Sequence, residues 1–359
     1  MWMLVRRLVG YLLAFGKLPE HVAFIMDGNR RYALRENKDK IAGHSDGYRK
    51  MVELIHWCLD LGIPTISVYA FSIENFKRSP KEVEALMNMA ERKYRELIEE
   101  GGLANEVGLV IKALGDLSLA PEGVQRSAAR MMTHCDKLQK KKATLNVCFS
   151  YTSSQEICQA VSAVQGGLDK KELDSTDVDA SLLEQCLYTN SSPPVDLMIR
   201  TSGEKRLSDF LLWQCRHAVL VFENVLWPDY SFLDFVSALL AFQRNAVDHN
   251  ELRGSTEISP KSHDPLSERQ NSCSLKDGST ENTGFTVCCR GDFAECRSHS
   301  KPEDQCKERN RNGVSELETS ANRLCGSVRA TDCKRISKFL EGREALFKRW
   351  LQIRGSPPP

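Results

Sequence analysis

A chain of 359 residues with 41% hydrophobic content is long enough for one large domain or two and can bury a sizeable core. Its 49 Lys and Arg against 48 Asp and Glu leave a formal net charge of +1, which argues against a generic nucleic-acid binder and makes any arginine cluster a local matter. Thirteen cysteines, an odd number with no Cys-x-x-Cys pair, argue against a disulfide framework and a zinc site. Six of them lie singly before residue 250, at Cys58, Cys135, Cys148, Cys158, Cys186 and Cys215, and read as buried, reduced thiols.

The first segment, Met1 to Phe15, is apolar but interrupted by Arg6 and Arg7, and it falls short of the ~20 residues of a membrane span. It is compatible with a secretory signal, a core helix or an interfacial amphipathic helix over residues 1–17, and its tryptophan and arginines favour the last. From residue 18 to 250, short β-rich runs alternate with helical patterns, which predicts an α/β domain with a mainly parallel sheet flanked by helices. Strands are expected near 21–26, 64–71, 109–115, 144–151, 196–201 and 218–223. Met51, Leu54, Ile55, Cys58 and Leu61 form one helical stripe. Ser79-Pro-Lys-Glu82 has the form of a capping box with proline at the first helical position, opening a helix that should run to about residue 100 and break at Gly101-Gly102. From Glu251 to about residue 333 the composition is polar and poor in aliphatic residues, so disorder is expected. A helical pattern resumes at 334–354 with Ile336, Phe339, Leu340, Leu346, Trp350 and Leu351.

Chemistry concentrates where two of the apolar runs stop. In His21-Val-Ala-Phe-Ile-Met-Asp-Gly-Asn-Arg-Arg31, Asp27 can take a hard cation such as Mg²⁺, the Gly28 backbone can approach a phosphate, and Arg30 and Arg31 can neutralise further charge. The same Asp-Gly-Asn is also an ordinary turn. Arg200-Thr-Ser-Gly-Glu-Lys-Arg206-Leu-Ser208 is a second cationic cluster after a strand, with guanidinium forks and a hydroxyl suited to phosphate oxygens. Duller roles exist: Arg206 and Asp209 as a surface ion pair, Asn75 closing a turn, His44 capping a helix, Trp213 and Trp227 as core. The Asp-Asp-x-x-Asp clamp of trans-type prenyl synthases is missing, and so is a Walker loop.

Met26-Asp-Gly-Asn-Arg-Arg31, Gly43-His44, Tyr69-Ala-Phe-Ser72-Ile-Glu-Asn75-Phe-Lys-Arg78, Asn146 to Tyr151, the Arg200–Phe210 block and Leu226-Trp-Pro-Asp-Tyr230 follow one another in the order of the cis-prenyltransferase signatures. Over residues 18–245 the chain resembles that family, and within it the eukaryotic dehydrodolichyl-type catalytic subunits. The resemblance implies a fold with an apolar tunnel. It also implies repeated addition of isopentenyl diphosphate to farnesyl diphosphate with cis geometry, Mg²⁺ as cofactor, and a long polyprenyl product for dolichol and protein glycosylation. It would place the allylic diphosphate at Asp27, Gly28, Asn29, Arg30 and Arg31 with His44 beside it. Isopentenyl diphosphate would lie at Arg78, Arg200, Arg206 and Ser208, with Lys40 and Ser72 as further substrate-binding residues, Asp27 and Asn75 in catalytic roles and Asp27 as metal ligand.

Three departures qualify that carry-over. Where self-sufficient relatives have a second acidic ligand, this chain has Val219, and Lys40 stands where the family has an arginine. The family's heteromeric members complete the site with an Arg-x-Gly ending from a Nogo-B-receptor-like subunit, whereas this chain ends Arg354-Gly-Ser-Pro-Pro-Pro. The expectation is therefore a catalytic subunit of a heteromer on the cytosolic face of the endoplasmic-reticulum membrane. A non-catalytic scaffold and a homodimeric synthase are the rival readings. The stretch around Glu99-Glu-Gly-Gly-Leu-Ala-Asn105 looks longer than in medium-chain relatives, which in the family accompanies longer products.

Overall fold

The structure, a computed structural model, describes residues 9–10, 12–13, 15–245 and 315–356, with side chains in the last stretch from residue 333 onward. Contacts divide the chain into a large unit, Met1–Leu252 with Ser327–Pro359, and a small one, Arg253–Gly326. Most of the polar segment expected to be disordered, and most of the amphipathic N-terminal segment, lie outside the described residues.

Six strands form one parallel sheet: β1 (His21–Ile25), β2 (Thr65–Ser72), β3 (Leu109–Leu114), β4 (Ala143–Tyr151), β5 (Leu197–Arg200) and β6 (Val219–Phe222). Their order is β3-β4-β2-β1-β5-β6, and every one matches a run expected from the sequence. The apolar runs lack polar alternation because β1 and β5 are buried along their whole length, as strands covered on both faces must be. After β1 the chain moves to the β2 side, and it later returns to place β5 against the other edge of β1, with Val22 beside Leu197 and Ile25 beside Arg200. The crevice beyond the carboxyl ends of β1 and β5 is thus a topological switch point, where open α/β sheets bind ligands.

One face of the sheet is covered by α2 (Lys40–Asp60), α3 (Pro80–Glu96), α5 (Glu122–Asp136) and α8 (Phe232–Asn245), which bury Leu54, Ile55, Leu86, Val124 and Phe235 against it. The short helices α1 (Asn29–Arg35) and α4 (Leu103–Val107) lie beside them in sequence. The stripe read from Met51 to Leu61 is the buried side of α2. α6 (Ser153–Asp169) and α7 (Ala180–Cys186) build a further cluster that receives Phe339 from α9 (Ser315–Gly355). α9 therefore begins well before the pattern that revealed it. Arg335 meets Asp177 at 3.2 Å and Arg343 donates to the Cys186 carbonyl at 3.1 Å, fixing its described part to this cluster.

Three local expectations need correction. Ser79 is the N-cap of α3 and Pro80 its first residue, but no side-chain cap hydrogen bond forms, so the capping box is not realised. Glu82 turns instead toward three cations, described below. α3 also ends at Glu96 rather than near 100, because the chain turns before Gly101, whose φ of +77° suits glycine, and starts α4 at Leu103. Of the six cysteines, five are buried, while Cys158 is exposed on α6. Near the N-terminus Leu13 is buried, its carbonyl accepting from Gln243, whereas Leu12 and Phe15 are exposed. Among the described residues no helix is long and apolar enough to cross a membrane.

Candidate active site

Asp27 sits two residues past the end of β1, where its backbone is clipped to the neighbouring strand. Its N–H donates to Thr201 Oγ1 at 3.1 Å, the Thr201 hydroxyl donates back to the Asp27 carbonyl at 2.7 Å, and Trp227 N–H donates to the same carbonyl at 3.0 Å. Gly28 follows with φ of +114°, and a Cβ there would lie 3.1 Å from Leu226 Cα and Trp227 N. Only glycine therefore allows the chain to turn from β1 into α1 at this point. α1 packs closely on α2 because Gly47 leaves room: a Cβ on it would lie 2.1 Å from Asn29 Oδ1.

The Asp27 carboxylate receives Arg200 from the end of β5, with Nη2 at 3.0 Å from Oδ2, and lies 3.7 Å from Arg31. Burial by itself would raise this carboxyl, but the Arg200 hydrogen bond, the charges of Arg200 and Arg31 and the Gly28 N–H outweigh it and hold the group below the usual carboxylate range. Arg200 is buried and divides its fork between Asp27 and the other side of the crevice, where Nη1 donates to Ser208 Oγ at 2.7 Å and to the Arg206 carbonyl. Its Nε is buried without a partner among the described residues. Arg31 is anchored by hydrogen bonds to the carbonyl and hydroxyl of Ser202 and faces Glu204 at 3.8 Å.

A second group of cations is gathered by Glu82. This carboxylate, 7% exposed, lies 3.4 Å from Arg78, 3.4 Å from Lys40 and 4.0 Å from Arg30. Arg78 is held below its ordinary value by burial and by the charge of Arg30. His44 is not a helix cap: Asp39 caps α2, accepting from Ala42 N–H at 2.7 Å, and His44 lies inside the helix. Burial and the Arg78 charge lower its pKa to about 4, so it is neutral at pH 7, and its buried Nε2 has no partner among the described residues. Asn29 Oδ1 is likewise buried and unsatisfied. Such orphaned groups call for a ligand.

The remaining expected residues divide. Ser72 and Asn75 form a capping box at the start of the 3₁₀ turn Ile73–Lys77: Ser72 Oγ accepts from Glu74 N–H, and Asn75 Oδ1 accepts from Ser72 N–H at 3.1 Å. The Asn75 amide therefore does close a turn, with its NH₂ without a partner among the described residues. The Arg206–Asp209 ion pair does not form. Arg206 pairs with Glu204, and Asp209 caps α6 through Ser154. Trp227 is buried, with Nε1 donating to the Gly47 carbonyl, whereas Trp213 is only partly buried and donates to Glu184. Val219 begins β6 beside Leu197, at the far end of β5 from Arg200, so within this chain that position is not part of the Asp27 cluster. Thr201, Ser202 and Glu82 hold these cationic clusters in place, and the sequence reading did not single them out for that role. The hydroxyl run after Arg200 is the one signal that could have found the first two.

Among the described residues no group of three or more His, Cys, Asp or Glu could hold a metal ion. Asp27 offers one hard oxygen donor, partly exposed, at the rim of the cationic cradle. That suits a Mg²⁺ ion that takes its other ligands from water and from substrate phosphates, and it does not suit a cage built by protein alone. Next to the cradle, a cavity of about 140 Å³ runs between α2 and α3, bounded by Asn29 and His44 and walled by Met51, Leu86, Met89, Ala90, Phe149 and Trp227. Lys93 is its one cation, with its ammonium 2.6 Å from Glu96 and 4.4 Å over the Tyr48 ring.

Two arginine clusters and a carboxylate at the switch point of a parallel sheet, with an apolar cavity beside them, define an α/β protein built to hold phosphorylated apolar molecules. The profile of the prenyltransferase family described as undecaprenyl diphosphate synthase matches residues 25–249. The chain belongs to this family of prenyl-transferring enzymes, the cis-prenyltransferases. It is 48% identical over 239 residues to the dehydrodolichyl diphosphate synthase complex subunit of Homo sapiens, covering 67% of this chain and 71% of that one. It is 38% identical over 229 residues to the tritrans,polycis-undecaprenyl-diphosphate synthase (geranylgeranyl-diphosphate specific) of Thermococcus kodakarensis, covering 64% and 86%. Among solved structures, lavandulyl diphosphate synthase from Lavandula x intermedia, in complex with dimethylallyl diphosphate, superposes with a TM-score of 0.58 at 30% identity over 63% of this chain and 95% of that one.

Proposed function

We propose that this chain is the catalytic subunit of a cis-prenyltransferase that adds isopentenyl diphosphate units to farnesyl diphosphate and makes a long polyprenyl diphosphate, the dehydrodolichyl diphosphate of dolichol synthesis. The observation that carries the proposal is the Asp27–Arg200–Ser208 relay, which joins the two cationic clusters into one cradle for two diphosphates. A non-catalytic scaffold has no physical need for a half-exposed carboxylate balanced by two arginines, or for a neutral, unsatisfied histidine next to them.

In this reading Asn29 and the residues Gly28 to Arg31 hold the allylic diphosphate, with His44 donating or accepting as a neutral imidazole. The allylic chain lies in the apolar cavity between α2 and α3, which excludes water from the carbon that becomes cationic. Arg78, Arg200, Arg206 and Ser208 hold isopentenyl diphosphate and aim its double bond at that carbon. Asn75 is an amide without basicity, so it positions the substrate, and the proton lost from isopentenyl diphosphate as the new bond forms goes to an oxygen of the departing diphosphate. When bound, Mg²⁺ would supply Lewis-acid stabilisation of the departing diphosphate, with Asp27 as its protein ligand. The guanidinium groups add the same kind of charge stabilisation from fixed positions.

The heteromer, with a Nogo-B-receptor-like subunit, and work at the endoplasmic-reticulum membrane surface belong to the same proposal, supported by the subunit name of the human relative and by the insolubility of a dolichol-length product. The experiment is incorporation of labelled isopentenyl diphosphate with farnesyl diphosphate and Mg²⁺, by the full chain alone and with such a subunit, followed by sizing of the products. Activity that requires the pair is the expected result. Full activity of the chain alone would overturn the heteromer, and none in either arrangement would overturn the catalytic assignment.

A further inference from the structure

Within the second cluster the backbone does something unusual for a segment without glycine. Ser208, Asp209 and Leu211 all have positive φ, at 52°, 57° and 47°. Left-handed backbone is tolerated by Asp, less readily by Ser, and least by a bulky residue such as Leu. Three such residues among four persist only where the surroundings over-determine them, and strain of this kind gathers at ligand clamps.

The surroundings are identifiable. Phe210 and Leu211 are fully buried, and Phe210 stacks on Tyr69 with ring centroids 4.3 Å apart. The outer side of the turn is joined to the first turn of α6. Asp209 Oδ1 accepts from both the N–H and the hydroxyl of Ser154 at 3.0 Å, the Asp209 carbonyl accepts from Ser153 N–H at 2.7 Å, and Ser153 Oγ accepts from Leu212 N–H at 3.1 Å. Beside the N-cap Thr152, whose hydroxyl accepts from Gln155 N–H, Asp209 thus satisfies two more N–H donors at the start of a 17-residue helix, that of Ser154 with its carboxylate and that of Ser153 with its carbonyl, where a carboxylate is favoured electrostatically. That placement also draws its charge to α6 rather than to Arg206, whose partner is Glu204.

What the turn presents is Ser208. Its hydroxyl meets Arg200 Nη1 at 2.7 Å, and its carbonyl accepts from the Tyr69 hydroxyl at 3.3 Å. We propose that Asp209 is a positioning residue for isopentenyl diphosphate: by capping α6 it locks the left-handed turn that aims Ser208 Oγ and Arg200 at that substrate's diphosphate. The inference rests on the proposed function, which assigns the Arg200–Ser208 side to isopentenyl diphosphate.

The test is steady-state kinetics of the full chain in its active assembly, with each substrate varied in turn. In Asp209→Ala the hydrophobic anchors Phe210 and Leu211 remain, so the fold persists while the clamp loosens. The KM for isopentenyl diphosphate should rise about tenfold, the loss expected when a helix-capping hydrogen bond is removed from the clamp's support. The KM for farnesyl diphosphate should rise clearly less, since the clamp reaches that side only through Arg200 and Asp27, whose backbone is separately held by Thr201 and Trp227. Asp209→Asn keeps an acceptor oxygen and tolerance of left-handed backbone, and it should restore the isopentenyl diphosphate KM. Ser154→Ala, which removes one donor from the other side, should shift the same KM in the same direction by less. An unchanged isopentenyl diphosphate KM in Asp209→Ala, an equal rise in both KM values, or failure of Asp209→Asn to rescue would each overturn the positioning role. The wild-type assembly in the same assay separates the two levels. If it incorporates isopentenyl units normally while these variants behave as wild type, only the role of Asp209 falls; if it incorporates none, the proposed function falls first.

Discussion

Arg200 Nη2 lies 3.0 Å from Asp27 Oδ2, so the last residue of β5 neutralises the carboxylate that follows β1 across the switch point of the sheet. The two residues are 173 apart in sequence and adjacent in space because β1 and β5 pair in register, Ile25 beside Arg200. An ion pair placed this way has two possible jobs, joining strands or waiting for a ligand. The geometry favours the second, since the Asp27 side chain is still 34% exposed and already has its backbone held by Thr201 and Trp227.

Substitution at Asp27 separates the two jobs. Asp27→Asn preserves an acceptor for Arg200 and removes the charge that would ligate Mg²⁺. Turnover should fall by about 100-fold or more, the order expected when an electrostatic group acting on the transition state is deleted, and the thermal midpoint should fall modestly, because buried Arg200 loses its counter-charge but keeps an acceptor. Asp27→Ala should lose activity equally and melt earlier still, because the guanidinium then loses its hydrogen-bond acceptor as well as its counter-charge. Incorporation assays and melting curves on both variants check this.

Arg200→Lys tests the fork. A lysine could reach either Asp27 or Ser208 but could not join them, since an ammonium lacks the planar pair of donors. Affinity for isopentenyl diphosphate should weaken by about ten- to a hundredfold, corresponding to one charge-assisted hydrogen bond. Equilibrium binding of the labelled substrate measures it.

Much of this arrangement was legible in the sequence, and the parts that were not share a cause. All six strands could be read because fully buried parallel strands appear as uninterrupted apolar runs, and both clusters stood at strand ends. Glu82 looks like a helix-capping residue because the pattern Ser-Pro-Lys-Glu is local, whereas the three cations that claim it come from α1, α2 and the end of the 3₁₀ turn Ile73–Lys77. The near neighbour Arg206 offers Asp209 an ion pair as one reading, but its partner is 55 residues away at the head of α6. The left-handed turn at Ser208–Leu211 carries no glycine, which is the residue that normally announces one. In each case tertiary charge or strain overrode a short-range pattern.

Glu82→Gln should show that its carboxylate stands in for an anion. Without it Arg30, Lys40 and Arg78 face one another unneutralised, so the free protein should melt a few degrees earlier. Inorganic diphosphate should then raise the melting temperature more in the variant than in the wild type, because the ligand replaces the missing charge. Equal ligand-induced shifts in both proteins would remove this role from Glu82.

Acid should destabilise the fold through its histidines. His21 is fully buried, Nδ1 donates to the Pro193 carbonyl at 2.7 Å, and Nε2 accepts from the Ser67 hydroxyl. Burial lowers its pKa from 6.5 to about 4 against the raising effects of Pro193 and Asp196. A base with a depressed folded pKa takes up its proton sooner when unfolded, so its contribution is complete above pH 6.5 and is lost as the pH falls toward 4. The loss should be on the order of 3 kcal/mol. Glu156 works in the opposite sense, because burial raises its carboxyl despite hydrogen bonds from Tyr151, Gln214 and the Tyr188 N–H, so its contribution is complete below its ordinary value and is lost as the pH rises above it. Denaturant midpoints at pH 7.5 and 5 should differ in the wild type, and the difference should shrink in a folded His21→Gln variant.

Ala90 is the place to test whether the cavity receives the growing chain. It stands on α3 one turn beyond Leu86, lines the cavity with Met89 and Phe149, and is small enough to leave space that a phenyl ring would fill. Ala90→Phe leaves Asp27, Arg200 and Ser208 unaltered, and none of these three lines the cavity, so the first condensations should proceed at rates within about twofold of wild type. Later ones should fail as the chain meets the ring, and the product distribution should shift to shorter polyprenyl diphosphates, seen by chromatography of the dephosphorylated alcohols. A general loss of incorporation with unchanged lengths would mean that the cavity only supports the fold. Unchanged rates and lengths together would place the chain elsewhere on the molecule.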